Sequence, residues 1–351
     1  MGAFAIGSRR IGPGEPAYVV AEVGINHCGD RRRAIEMCRV AAACGADAVK
    51  FQTFVAEEFC GDPGQVFTYR SQGRTVSEPM LDMFRRHELR PDDWRAIRDA
   101  CAEIGITFFS TPQNPSDLEL LLGLGVPALK IGSDDLTNLP LIATYAAAGP
   151  PLVLSAGMSD LAEIDRALAA AGWYEGKAVA LLMCTSLYPT EPDDVHLARL
   201  ATLRGAFPGL TVGFSDHTRG PLAASLAVAL GASILEKHFT LGHDLPGPDH
   251  WFSEDPRGLA EWIAAIRTTE RMLGCATVRP TAGEMEMRTL ARRSVVALRD
   301  IEAGERFGVD NIGARRPGDG LPPAMLGEIV GQRALRPIGR GRRLAHGDFG
   351  P

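Results

Sequence analysis

Cysteine is sparse: seven residues, at positions 28, 38, 44, 60, 101, 184 and 275, odd in number, scattered and without a C-x-x-C pair. That pattern argues against a disulfide framework and reads as reduced thiols in a cytoplasmic protein. Neither a Cys₂His₂ nor an H-E-x-x-H spacing occurs, so structural zinc and metalloprotease chemistry have no support. Long hydrophobic runs are also missing. The opening MGAFAIGSRRIGPGE has no extended apolar core, and the most apolar stretch, Leu222 to Leu235, is broken by Ser225, Gly231 and Ser233. The expectation is a soluble chain with no secretion signal and no membrane span. Basic residues are not in excess: 37 Lys and Arg against 43 Asp and Glu give a net charge of -6. Nucleic acid and anionic membrane are therefore poor partners, and an anionic substrate must be met by local cations.

What is present is a strand–helix rhythm. Apolar runs near residues 20, 49, 108, 130, 153, 181, 212 and 234 alternate with helical stretches. Eight such repeats predict an α/β fold, a closed (β/α)8 TIM barrel, over residues 1–276. A stretch with linker character follows at 277–290, and a small β-rich module at 291–351. Residues 55–80 show no clear period and read as a long, functional loop. The stretch Gly213 to Phe239 is a complete repeat: a strand ending in Ser215, Asp216 and His217, a helix, and a strand ending in Glu236, Lys237 and His238. Within that helix Leu222, Leu226 and Leu230 stand four apart on one face.

In such a barrel the C-terminal strand ends form the catalytic face. Lys50 and Lys130 lie there, where an uncompensated buried ammonium is costly. Either a ligand phosphate or carboxylate answers them, or a structural salt bridge to Glu22 or Asp135 does. Thr111, Ser133, Ser155 and Ser215 sit at further strand ends; each alone serves as a turn or cap residue, and together they make an oxyanion-binding floor. His217 and His238, on consecutive strand ends beside Asp216 and Glu236, point to a transition-metal site with open positions. Asp134 suits a helix cap. Asp249, in the stiff segment LPGPD, suits a general base or a sugar-hydroxyl acceptor.

The ordered segments AEVGINHCGD, GADAVKFQTF, HEL, FFSTP, KIGSDDLTNLPLI, LSAGM, CTSLYPTEPDDVHL, GFSDHT, EKHFTL and LPGPDHWFSEDP resemble the sialic acid synthase family over nearly the whole chain. The tail, down to its RRPGDG turn, resembles that family's antifreeze-like (SAF) domain. The resemblance implies condensation of phosphoenolpyruvate with an N-acylated hexose such as N-acetylmannosamine, giving a nine-carbon α-keto sugar acid. It implies a divalent metal on His217 and His238, usually manganese, with magnesium or cobalt as substitutes. Phosphoenolpyruvate would be held by Lys50, Thr111, Lys130, Ser133, Ser155, Ser186 and Ser215, and the acceptor by Gln52, Ser77, Tyr188, Glu236 and Asp249. Arg316 would reach the acceptor from the partner subunit of a domain-swapped homodimer. Asp135 or Glu22 would handle the proton of the attacking water.

Three positions depart from the family pattern. Ser133-Asp134-Asp135 replaces S-G-E, making the shorter Asp135 the expected catalytic carboxylate; Ser77 stands for an asparagine; and Cys184-Thr185-Ser186 stands for C-T-N. Losing an asparagine removes both a donor and an acceptor. These changes fall partly where the sugar is sensed, so legionaminate- and pseudaminate-type acceptors are alternatives to N-acetylmannosamine. A non-catalytic sugar-binding protein is a more distant one.

Overall fold

The structure is a computed structural model and describes residues 3–351. It divides into two units after Gly274. In the first, eight parallel strands close into a barrel, each paired with the next in the chain and the last with the first. They are β1 Tyr18–Gly24, β2 Ala48–Thr53, β3 Thr107–Pro112, β4 Leu129–Ile131, β5 Leu152–Ser155, β6 Val179–Cys184, β7 Thr211–Asp216 and β8 Ile234–His238. Closure sets Ile234 opposite Tyr18 and His238 opposite Glu22.

Side chains alternate between the two faces of each strand. Val19, Val49, Leu129, Leu154, Leu181 and Leu235 face outward into the core shared with the helices. Tyr18, Val20, Ala48, Phe109, Val153, Leu182 and Ile234 form a separate apolar plug inside the barrel. Ile6 and Ile11, from the antiparallel pair Phe4–Ile6 and Arg9–Ile11, join that plug. The same alternation, continued one step further along the strands, aims Glu22, Lys50, Thr111, Lys130, Ser155, Ser215 and Glu236 inward above the plug. An apolar lower layer and a polar upper layer thus follow from one period of two. No helix among the described residues is long and apolar enough to cross a membrane.

Local expectations for residues 55–80 and 277–290 change, and one helix face gains a direction. Residues 55–80 are not an irregular loop: they hold a helical turn, Ala56–Phe59, and an antiparallel hairpin, Val66–Ser71 with Arg74–Pro79, followed by the helix Met80–His87. The hairpin turns on Gln72-Gly73, both at positive φ (50° and 74°) as a two-residue hairpin loop requires. Apart from Phe67 and Tyr69, half-buried on one face, its strands are mostly polar and exposed, so the apolar alternation is too short to mark them. On helix Leu222–Ala229 the leucine face is the outward one, with Leu222 70% exposed, while Ala223, Ala224, Ala227 and Val228 are buried. Small side chains let this helix lie close to its neighbours, which the larger leucines would prevent.

In the second unit, the stretch read as a linker contains a helix, Ala282–Ala291, started by a reciprocal Thr281–Glu284 cap. Beyond it Ser294–Ala297 pairs with Ile312–Arg315, and Arg333–Ala334 with Phe349–Gly350. Val295, Ile301, Phe307, Ile312, Ile329 and Ile338 give this unit a core of its own.

Candidate active site

A cavity of about 400 Å³ opens above the apolar plug. Its floor holds two buried lysines. Lys50 Nζ lies 2.7 Å from Glu22 Oε2 and 3.8 Å from Glu236 Oε1, and it donates to Thr111 Oγ1 at 3.4 Å. Lys130 Nζ donates to Ser155 Oγ at 2.6 Å and lies 4.0 Å from Glu236 Oε1. The structural-pair reading of Lys50 therefore holds for Glu22, and the one with Asp135 does not. Burial works against every charge here. It lifts the Glu22 carboxyl well above the usual range, against the pull of Lys50. It also lowers Lys130, with Glu236 opposing. At Lys50, burial is outweighed by Glu22 and Glu236, and the ammonium is favoured.

Hydroxyls ring this floor. Ser215 donates to Glu236 Oε1 at 3.1 Å, and Ser133 Oγ accepts the Gly157 N–H at 3.0 Å. A side chain at Gly157 would bring its Cβ to 2.3 Å from Ser186 Oγ and 2.8 Å from Ser133 Oγ, so glycine there makes room for both. Four buried polar atoms lining this one cavity have no hydrogen-bond partner: Gln113 Oε1, Ser186 Oγ, Glu236 Oε2 and His238 Nδ1. Orphaned polar atoms are costly when buried, and their convergence marks a ligand site.

On one wall the rings of His217 and His238 lie 5.5 Å apart, with Tyr188 packed 4.2 Å from His217. His217 Nδ1 is 2.8 Å from the Thr185 carbonyl oxygen, which can only accept. The hydrogen is therefore on Nδ1, and Nε2, 3.5 Å from a Ser215 hydroxyl that donates to Glu236, keeps its lone pair, the arrangement found in metal-binding imidazoles. Burial holds His238 neutral, well below its ordinary pKa, and His217 adds to this. Burial lowers His217 too, but the Cys184 sulfur at 3.8 Å outweighs it and raises the pKa, so a metal ion would compete with a proton there. No cluster of three His, Cys, Asp or Glu side chains suited to a metal occurs among the described residues. Two imidazoles fit an ion whose remaining positions go to water and substrate.

A second cavity, of about 630 Å³, shares Gln52, Phe84, Ser186, Tyr188 and His238 with the first. Asp249 lines it, 4.0 Å from His238 Nδ1, and burial raises its carboxyl to about 6. The hairpin contributes Phe67, Thr68, Tyr69 and Arg70, and the segment after β8 contributes Trp251 and Phe252. Arg70 lies over the Trp251 ring at 5.1 Å. The four hairpin residues were not legible as site residues because the hairpin itself was not; Trp251 and Phe252 stand in the same LPGPDHWFSEDP segment as Asp249, from which only the carboxylate was singled out.

Other placements differ from the sequence reading. Asp135 is turned away, accepting from Asn138 Nδ2 at 3.1 Å, and the carboxylate lining the cavity is Asp134. The shorter aspartate side chain is held by its own turn and does not reach the mouth. Ser77 is exposed on the hairpin and pairs with Thr68 Oγ1 at 2.8 Å; Thr68 is the residue that faces the cavity. Glu236 belongs to the lysine floor and lies apart from the second cavity. Asp216 faces outward: its Oδ2 accepts from Trp262 Nε1 at 2.9 Å and meets Lys237 Nζ at 3.1 Å. It anchors β7 and β8 from behind. Arg316 is exposed in the second unit.

The sequence profile of the NeuB family matches residues 37–277, and that of the SAF domain matches 292–349. The chain is 37% identical to the N,N'-diacetyllegionaminic acid synthase of Legionella pneumophila, over 93% of each protein. It is 33% identical to the human N-acetylneuraminate-9-phosphate synthase, over 93% of this chain and 91% of that one. Among solved structures it is similar to an N-acetylneuraminic acid synthetase from Leptospira borgpetersenii, crystallised with citrate. The TM-score is 0.73 at 30% identity, covering 81% of this chain and 94% of that one.

Proposed function

The chain belongs to the NeuB family, and from that premise we propose that it condenses phosphoenolpyruvate with an open-chain N-acylated hexose. The products are phosphate and a nine-carbon 2-keto-3-deoxy sugar acid. The observation that carries this reading is the convergence of two buried lysines, two imidazoles and four unpartnered polar atoms in one barrel-mouth cavity. In the reaction a bond forms between C3 of phosphoenolpyruvate and the aldehyde carbon, the aldehyde oxygen takes a proton, water adds at C2, and phosphate leaves.

Lys50 and Lys130 neutralise the carboxylate and phosphate of phosphoenolpyruvate, and Thr111, Ser133, Ser155, Ser186 and Ser215 hold those groups with donors already in place. Glu22, its carboxyl lifted towards neutrality by burial, is suited to hold or release the proton of the attacking water. His217 and His238 would hold a divalent ion, manganese by the family resemblance, whose role when bound is to polarise the aldehyde oxygen. Tyr188, Gln52 and Asp249 line the adjoining space and orient the acceptor.

The aromatic wall of Phe67, Tyr69, Trp251 and Phe252 favours an acceptor with few hydroxyls and added acyl groups, of the legionaminate kind. Arg70 is the one cation lining that cavity among the described residues, which disfavours a phosphorylated sugar. A domain-swapped homodimer, bringing Arg316 of the partner copy to the acceptor, forms part of the same proposal. Exposed Met285, Met287 and Leu290 on the helix of the second unit support it. Seven free cysteines fit a reducing cytoplasm.

The test is phosphate release from phosphoenolpyruvate across a panel of acceptor sugars, with mass spectrometry of the products. Tight sugar binding with no consumption of phosphoenolpyruvate would replace the enzyme with a binding protein.

A further inference from the structure

Asp249 reaches the second cavity from a loop whose backbone is fastened at both sides. The thiol of Cys28 lies 3.0 Å from the Pro246 carbonyl oxygen and 3.2 Å from His250 Nε2. Thr240 Oγ1 donates to Gly242 O, so it accepts from His250 Nδ1 at 2.7 Å; the ring hydrogen is then on Nδ1 and the Nε2 lone pair faces the sulfur. The Asn26 carbonyl oxygen stands farther off, at 3.6 Å, so the single S–H hydrogen of Cys28 has its two nearest acceptors on the loop, and burial keeps it on the sulfur by raising the thiol pKa.

From the other side the Gly247 N–H donates to Ser71 Oγ at 3.1 Å, and Gln72 Nε2 donates to the Asp244 carbonyl oxygen at 2.9 Å. Ser71 is buried although most of its hairpin strand is not. At Gly247 φ is 151°, and a Cβ there would lie 2.9 Å from His250 Cδ2, so only glycine lets the loop rest against that ring. Neither Cys28 nor Ser71 lines either cavity. Substrate contact therefore does not account for them.

We propose that Cys28 and Ser71 are positioning residues that clamp the Pro246–Gly247 backbone and so hold the Asp249 carboxylate at the acceptor. The assignment of Asp249 to the acceptor rests on the functional reading above. Phosphoenolpyruvate is held from strand ends on the barrel itself, so loosening the clamp acts on one substrate and spares the other.

The experiment measures KM for both substrates, and amide hydrogen exchange over residues 243–252, in the wild type, Cys28→Ala, Cys28→Ser and Ser71→Ala. Loss of one hydrogen bond in Cys28→Ala or Ser71→Ala raises the acceptor KM roughly 3- to 10-fold, with that for phosphoenolpyruvate within about twofold. Exchange in the segment quickens in both, and Cys28→Ser, which keeps a donor, restores both readouts. Equal changes in the two KM values, or unaltered exchange in folded variants, would overturn the clamp. A wild type that releases no phosphate with any acceptor overturns the functional reading instead, and exchange alone then decides whether the clamp exists.

Discussion

Lys50 Nζ lies 2.7 Å from Glu22 Oε2 on neighbouring strands, both side chains almost wholly buried. Removing one member of such a pair strands the other charge. Lys50→Met is expected to lose roughly 3–5 kcal/mol of stability near neutral pH. Burial already raises the Glu22 carboxyl, and without Lys50 it rises further. A carboxyl raised in the native state binds more protons than the unfolded chain does, so stability falls as pH climbs above the ordinary value of 4.5. Below about pH 7 the carboxyl is protonated in both proteins and the gap is constant; above it the wild-type group ionises while the variant's does not, so the gap should widen from pH 7 to pH 9 in thermal melts. A gap that is flat or narrows over that range would refute this account of the floor.

The paired imidazoles carry a second prediction. His217→Ala and His238→Ala should each fold normally by circular dichroism. Each should cost phosphate release more than the roughly 10- to 100-fold typical of an outer-shell partner. Manganese binding followed by calorimetry should weaken in both. Full turnover in a chelator-treated double variant would remove the metal from the mechanism.

The barrel and most of its polar floor were legible because one rule produces both. Strand positions alternate, so Val20 and Glu22, or Ala48 and Lys50, face the same way, and polarity at the C-terminal step announces the site. Beyond the strands that rule stops. Past Ile131 the period of two no longer says which of Asp134 and Asp135 turns inward, and the structure lines the cavity with Asp134 where the family pattern pointed to Asp135. The hairpin was missed for a different reason. Its apolar face is only Phe67 and Tyr69, packed on Ile25, Phe54 and Met83, with cross-strand pairing such as Tyr69 Oη to Glu78 at 2.6 Å, so its clearest local sign was the Gln72-Gly73 turn. The Leu222, Leu226 and Leu230 spacing located a helix face correctly but could not say that alanines, being smaller, would be chosen for the buried side.

His27 yields a pH prediction away from the floor. Its Nδ1 accepts the Gly29 N–H at 3.1 Å, and the ring is buried against Phe51 and the edge of Trp94. Burial, then His87 and Arg33, lowers its pKa to about 3. Between the ordinary value of 6.5 and that lowered one, the unfolded chain binds a proton that the native state refuses. This residue therefore removes stability as pH falls through that window, by up to roughly 1.4 kcal/mol per pH unit. His27→Phe does not titrate, so its deficit against the wild type in urea melts should shrink from pH 7 to pH 4.5. A constant deficit would show that His27 does not drive the acid loss.

The two adjacent aspartates give the most direct contrast. Asp134 lines the cavity, and Asp135 is tied to Asn138 at 3.1 Å outside it. Asp134→Asn should lower kcat/KM by roughly tenfold or more, as loss of a charge facing the reacting groups does, whereas Asp135→Asn should stay within about twofold. Position 132 offers an independent check, because a Cβ on Gly132 would come to 2.1 Å from Asp134 Oδ1 and must displace it. Gly132→Ala should therefore reproduce the Asp134→Asn loss while leaving the Asp134 charge in place. If Asp135→Asn proves the damaging substitution, the Asn138 contact must open during the reaction, and the carboxylate facing the substrates is Asp135 after all.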